Sequence, residues 1–141
     1  MNVIIKLPGD IRDTIKSYVI GYKDIVIEIN GHKKEIWIGP QKYRTGVFRQ
    51  WYPEGQLWYE CNWNMGKRHG PEYGWYSTGQ LSYENKYHDD KRHGILYRWY
   101  QNGQLWYEIT YYEGKRHGLE RGWSRTGQLN WETNYCDDKL I

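Results

Sequence analysis

The sequence predicts a mainly β fold, an array of stacked hairpins, and three observations carry that prediction. The box Gly-Gln-Leu opens at Gly55, Gly79, Gly103 and Gly127, a period of 24 residues without slippage. Trp51, Trp75, Trp99 and Trp123 keep the same step, as do Gly70, Gly94 and Gly118, which close a Lys-Arg-His-Gly box. A fixed period of roughly 20 to 50 residues marks supersecondary units that bury a core only by stacking on one another. Lastly, the 141 residues hold 15 Tyr and 9 Trp against one Phe, with a mean hydropathy of -1.01. Aliphatic side chains this scarce do not fill a thick core. Rings must supply the buried area, and Tyr and Trp suit a thin sheet because each keeps a polar handle for water.

Residues 1–41 do not repeat and are expected to form a small α/β cap over the first edge of the array, which occupies 42–141. Residues 3–7 read as a short strand ended by Pro8-Gly9. Asp10 is an N-cap residue, and Ile11, Ile15, Tyr18 and Val19 follow at helical spacing, predicting a helix over 10–20 that Gly21 ends. Ile25, Ile27 and Ile29 alternate, Asn30-Gly31 supplies a tight turn, and Ile36 and Ile38 alternate on the return, predicting a hairpin over 24–38.

From Tyr43 onward each unit reads as a hairpin. In the second unit, strands over 72–76 and 81–87 flank a turn at Ser77-Thr78-Gly79, and 88–93 loops into the next unit. Period-two alternation puts Leu81, Tyr83 and Tyr87 on one face, with Tyr73 and Trp75 as candidate neighbours. By the same rule Trp58 and Trp106 lie on the other face, where the alternate repeats carry Ser82 and Asn130, and Tyr52, Tyr76 and Tyr100 share that orientation. The periodic glycines at 46, 70, 94 and 118 and at 55, 79, 103 and 127 are expected at positive φ or close backbone approach.

The pattern Gly-x4-Trp-Tyr-x2-Gly-x-Leu-x2-Glu-x2-(Tyr/Trp)-x2-(Gly/Asp)-Lys-x2-Gly resembles the MORN repeat in its Gly-x-Leu variant form, over about 43–139. The resemblance implies an elongated, twisted, single-layer antiparallel sheet of successive hairpins. It further implies a scaffold or binding role, often with self-association, and an attachment to phospholipid that is disputed for the family. Two units depart from it: the first has Tyr43-Arg44-Thr45-Gly46 in place of Lys-Arg-His-Gly, and the last stops at Lys139-Leu140-Ile141 before its glycine. A second resemblance covers only Leu7-Pro8-Gly9-Asp10-Ile11, Ile15 and Tyr18-Val19, which look like the opening helix of an F-box. Its two further helices are not matched, because Asp24 onward reads as β.

Charge and side-chain chemistry narrow the function classes. From Tyr43 onward 13 Lys and Arg oppose 12 Asp and Glu, net +1, whereas a nucleic-acid partner calls for a strongly basic domain. Cys61 and Cys136 lie three periods apart, about 30 Å at two strands per repeat, and are expected as free thiols of a reducing compartment. No secretory leader opens the chain and no run approaches the roughly 18 apolar residues of a membrane span, so a cytoplasmic protein is expected. His69, His93 and His117 repeat at about 10 Å, too far apart to share one zinc, and read as turn residues with local partners. Glu60, Glu84, Glu108 and Glu132 form a similar ladder in like environments, unsuited to an acid/base pair, and are expected to pair with Lys or Arg of a neighbouring strand or to cap backbone N–H groups. No catalytic residue, metal site or cofactor is predicted.

The expectation is a non-enzymatic interaction and scaffold module. Its candidate protein-binding residues are Tyr52, Trp58, Tyr76, Tyr100, Trp106 and Tyr112, and the partner protein is not specified by the sequence. Asn130, Trp131 and Tyr135 are the candidate self-association edge of a homodimer, because unpaired strand edges invite pairing. The alternative partner is an anionic phospholipid surface, met by Lys67, Arg68, Lys91, Arg92, Lys115 and Arg116, against the reading that Asp89, Asp90, Glu113, Asp137 and Asp138 neutralise them. A third reading is an F-box-like adaptor through Leu7, Pro8 and Ile11.

Overall fold

The computed structural model describes residues 44–141 in full and, before them, the backbone of strands at 4–6, 23–29 and 32–38. Thirteen strands form one sheet, with no helix among the described residues. Strand β1 (Ile4–Lys6) runs parallel to β2 (Lys23–Ile29), which pairs antiparallel with β3 (His32–Ile38) in the register Ile25↔Ile36. This N-terminal hairpin joins the first edge of the array at Lys34↔Gln50. The helix expected over 10–20, and with it the F-box-like stretch, lies outside the described residues.

The array then runs in chain order through β4 (Gly46–Trp51), β5 (Leu57–Asn64), β6 (Lys67–Trp75) and β7 (Leu81–His88). It continues through β9 (Gly94–Trp99), β10 (Leu105–Tyr112), β11 (Lys115–Trp123) and β12 (Leu129–Cys136). Every consecutive pair is antiparallel; the short β8 (Lys91–Arg92) and β13 (Lys139–Leu140) fold back on β7 and β12. Two kinds of turn alternate along the chain. In the first, Tyr76 N–H donates to Gln80 O (2.8 Å) and Gly79 N–H to Tyr76 O (2.9 Å), a three-residue loop that needs Gly79 at φ +88°.

The second turn corrects the expected loop over 88–93. Asp89 and Asp90 alone make the turn, both at positive φ (50° and 69°), and strand resumes at Lys91. Met65-Gly66, Glu113-Gly114 and Asp137-Asp138 do the same in their repeats. Two left-handed residues in a row give the mirror-image turn whose twist matches that of the flanking strands. The strand expected from 72 accordingly begins at Lys67, and in the second and fourth units the Lys-Arg-His-Gly box lies wholly within a strand.

A β-bulge corrects the expected faces. Gln50 pairs with Tyr59 and Trp51 with Leu57, leaving Trp58 as an extra residue on β5; Ser82, Trp106 and Asn130 are its equivalents. One inserted residue breaks the period-two alternation, so Trp58 turns to the face of Tyr59. Their ring centroids are 5.4 Å apart, and those of Trp106 and Tyr107 are 5.1 Å apart. Leu57 and Leu81, paired with Trp51 and Trp75, go to the opposite face. Tyr73 goes there too, because it pairs with Glu60 on one side and Glu84 on the other, and its ring lies 5.8 Å from that of Trp75.

The tyrosine face carries the core. Cys61, Glu72 and Asn85 follow one another across β5, β6 and β7 and are buried, as are Tyr87 and Leu96. A bare single layer would leave these side chains wet, and on this face long cations close over the rings. Arg44 covers Phe48 and Trp63 at 4.3 and 4.7 Å, Arg68 covers Tyr87 at 4.0 Å and Arg116 covers Tyr135 at 4.1 Å. Each such stack contributes on the order of 0.5–2 kcal/mol as desolvation increases.

Candidate functional site

Two repeat-to-repeat devices and a ladder of ion pairs position the surface. Tyr52 Oη–H donates to Trp75 O (2.8 Å), Tyr76 to Trp99 O (2.7 Å) and Tyr100 to Trp123 O (3.0 Å), so each hydroxyl grips the backbone of the next unit. Gln56, Gln80 and Gln104 lie over the turn glycines Gly79, Gly103 and Gly127 of the unit that follows. On the glutamate face, Glu60 pairs with Arg49 (2.7 Å), while Glu108 and Glu132 share Arg121 (3.2 and 2.6 Å). That ladder is paired as its sequence predicts, except at Glu84.

On the tyrosine face the bulge residues open a groove of ≈ 280 Å³ lined by Tyr52, Trp58, Tyr76, Ser82, Arg98 and Trp106, with Trp75, Tyr83 and Trp99 also contributing. Trp58 and Trp106 are the walls, with 37% and 42% of their surface exposed, and Ser82 is the gap between them. Tyr52 lies 6.4 Å from Trp58, and Tyr100 stacks on Trp106 at 5.5 Å with a 29° interplanar angle. Five of the six residues expected to bind protein are therefore brought together. Tyr112 is not: it sits at the other end of the strands, between His93 and His117 at ring distances of 5.2 and 6.0 Å.

Arg98 is the residue that sequence reasoning missed. Its equivalents are Gly74 and Gly122, which are bare because the rings of Tyr83 and Trp131 lie directly against them. Arg98 instead extends over Tyr83 and Tyr107 at 5.5 and 5.9 Å, and no ion pair to a carboxylate occurs for it among the described residues. The signal lay in the sequence as a second period of 48 residues. Trp58 and Trp106 alternate with Ser82 and Asn130, Gly74 and Gly122 with Arg98, and Gly66 and Gly114 with Asp90 and Asp138.

The cationic ladder is largely engaged. Arg68 pairs with Asp90 (3.2 Å) and Glu72 (3.9 Å), Lys91 with Glu113 (3.0 Å), and Arg116 with Asp138 (3.4 Å) and Glu120 (3.6 Å). Arg92 lies over Tyr111 at 5.2 Å, while Lys67 and Lys115 are exposed. His69 and His117 meet Asp89 and Asp137 at 3.1 and 3.4 Å, so their partners are local, but both lie within strands β6 and β11 and not in the expected turns. Lys91 holds the Glu113 carboxyl below its usual range, and the His69 contact does the same for Asp89. Burial pushes the Tyr59 hydroxyl and the Cys61 thiol up, keeping Tyr59 a donor to Glu72 (2.9 Å) and Cys61 protonated.

The candidate self-association edge is corrected in part. Tyr135 pairs with Leu140 and Cys136 with Lys139, and Ile141 N–H donates to Asn134 O (2.9 Å), so β13 covers that end of β12. The Asp137-Asp138 turn reverses the chain without the closing glycine. Asn130 and Trp131 keep no neighbour on that side among the described residues. Both cysteines are free, Cys61 buried and Cys136 exposed, and no described helix is long and apolar enough to cross a membrane.

Comparison with known proteins bears on the array. The family model described as MORN repeat variant matches residues 44–65, 68–89 and 92–111. The fourth unit keeps the register but lies beyond the matched residues. No curated protein matches the chain. The crystal structure of TarM is similar over 84% of this chain and 20% of that one, at 13% identity and a TM-score of 0.43. That of an S. aureus TarM mutant in complex with fondaparinux, alpha-GlcNAc-glycerol and UDP is similar over 92% and 23%, at 11% identity and a TM-score of 0.41. This chain spans less than a quarter of either.

Proposed function

Since residues 44–111 belong to the MORN repeat variant family, whose repeats are non-enzymatic modules for contact with proteins and membranes, we propose that this chain is a protein-binding scaffold. The observation that carries the reading is the groove walled by Trp58 and Trp106. Exposed Trp and Tyr around a preformed concavity are the anchors on which protein interfaces concentrate their binding energy. Arg98 adds a direction to the chemistry. A guanidinium held over two rings, with no carboxylate paired to it among the described residues, favours an occupant with an acidic residue beside an apolar one. The engaged state of Arg68, Lys91 and Arg116 speaks for a protein partner over an anionic lipid surface. Self-association through Asn130 and Trp131 is the finer form of the same proposal.

A displayed peptide library panned on the full chain tests it. Enriched peptides should carry Asp or Glu next to an apolar anchor, and should lose at least tenfold in affinity against Trp58→Ser/Trp106→Ser and against Arg98→Ser. Enrichment indifferent to those changes sinks the groove as the binding surface. Light scattering at high micromolar concentration decides self-association: a dimer that Trp131→Lys dissociates supports the edge, and a monomer removes it.

A further inference from the structure

The donors that the histidine ladder lacks are supplied by the following turn. His117 cannot share a metal with His93, but the register Gly118↔Tyr135 sets His117 opposite Cys136 on the neighbouring strand. Directly opposite residues share a face, with Cβ atoms about 5 Å apart. Asp137, the next residue, is the first position of the left-handed turn (φ 51°), and its Oδ1 lies 3.4 Å from His117 Nδ1. The imidazole nitrogen, the Cys136 sulfur and an Asp137 oxygen all lie within 4.8 Å of one another. No other such set of three donors occurs among the described residues.

We propose that His117, Cys136 and Asp137 form a binding site for a divalent transition metal of the zinc class. The donor set argues for the metal type. An imidazole nitrogen and a thiolate select zinc or cobalt over magnesium or calcium, which prefer oxygen alone. Ligation displaces the Cys136 thiol proton, so thiolate and carboxylate together neutralise a doubly charged ion. Three protein donors leave the fourth tetrahedral position to water or to a donor from another molecule, as an exposed site requires. Asp138 is not among the converging donors and turns its Oδ1 to Arg116, accepting from Arg116 N–H (3.0 Å) and Arg116 Nε–H (3.4 Å).

The same positions in the other repeats explain why only this one qualifies. Forty-eight residues earlier stand His69, His88 and Asp89, a donor set that zinc also accepts, but their ligand atoms do not all come within 4.8 Å of one another. Between them stand His93, Tyr112 and Glu113, where Tyr112 stacks on His93 in place of a ligand. Cys136 sets the last turn apart, and Cys61, buried on the tyrosine face of β5, is a built-in control.

Cobalt(II) titrated into the reduced full chain is the test. The expected result is a thiolate-to-cobalt charge-transfer band that saturates at one ion per chain and is displaced by zinc. Cys136→Ser should abolish the band, Cys61→Ser should leave it, and His117→Ala and Asp137→Asn should each weaken binding at least tenfold. All three site residues are exposed, so these variants are expected to fold, which circular dichroism checks. Absence of the band at millimolar cobalt overturns the site. So does a band that survives Cys136→Ser, or one that His117→Ala and Asp137→Asn leave unchanged.

Discussion

Gly74 and Gly122 show how single residues fix the thickness of this sheet. Neither takes positive φ; each is bare because a ring from the next strand, Tyr83 or Trp131, occupies the place of a Cβ. A Gly→Ala change in an ordinary strand stabilises by roughly 0.4–1 kcal/mol through the unfolded chain. Here the clash reverses the sign, since displacing a packed ring costs about 1–3 kcal/mol. Gly74→Ala is expected to lower urea stability more than Gly122→Ala, because Trp131 is 42% exposed and free to move whereas Tyr83 is hemmed in by Arg98. Equal losses in the two denaturation curves would contradict this account. The glycine period was readable in the sequence, but a glycine serving a left-handed turn and one serving a ring look alike there. Trp58 was readable as special and assigned to the wrong face, because one bulged residue shifts the alternation without leaving a mark of its own in composition.

At the scale of the hairpin, the alternation of Gly and Asp in the second turn is a choice between two ways of holding a left-handed pair. Gly66 N–H donates to Arg44 O and Gly114 N–H to Arg92 O, each at 2.8 Å, and the glycine itself bears no strain. Asp90 and Asp138 donate to Arg68 O and Arg116 O in the same way and also accept from the N–H of those arginines (3.0 Å each). The carboxylate thereby offsets part of the left-handed cost, roughly 1–2 kcal/mol for a residue with a Cβ. The Arg116 N–H, and after it the Arg116 guanidinium, hold the Asp138 carboxyl below its usual range. A depressed folded-state pKa contributes stability above the unfolded value, near pH 4, and that contribution is lost as pH falls through the folded one. The Arg116 amide proton should titrate with a midpoint below the ordinary Asp range, and Asp138→Asn should remove the titration; a midpoint at or above that range would break the argument. Hairpin signals were missed here because Asp-Asp and Met-Gly are not the usual Asn-Gly, and the expected loop over 88–93 contains the two-residue turn without delimiting it.

Across the whole molecule, stability is a sum of repeats and of couplings between neighbours. Each described strand from β4 onward pairs only with strands close to it in the chain, and the buried residues Cys61, Glu72, Asn85, Tyr87 and Leu96 lie in the first three units. β12, by contrast, is exposed at six of its eight positions. Hydrogen exchange should therefore grade along the array, with slowest amides in β5–β7 and fastest in β12 and β13. Uniform protection from β5 to β13 would mean one cooperative block and refute the additive picture. The architecture was the most legible level of all, since periodicity and ring content demand stacked hairpins however the faces fall.

The Tyr52, Tyr76 and Tyr100 hydroxyls all point one way, each clasping the unit that follows, and the second turn alternates between its Gly and Asp forms along the array. Such a structure has a growth increment. Adding one 24-residue unit would set two like turns side by side and put Trp58-type walls on adjacent strand pairs, closing the gap that Ser82 leaves. Adding two preserves every neighbour relation, and at four strands about 4.8 Å apart it lengthens the molecule by about 19 Å. The chain behaves as a ruler graduated in pairs, and the spacing between successive grooves is the quantity that its lengthening leaves unchanged.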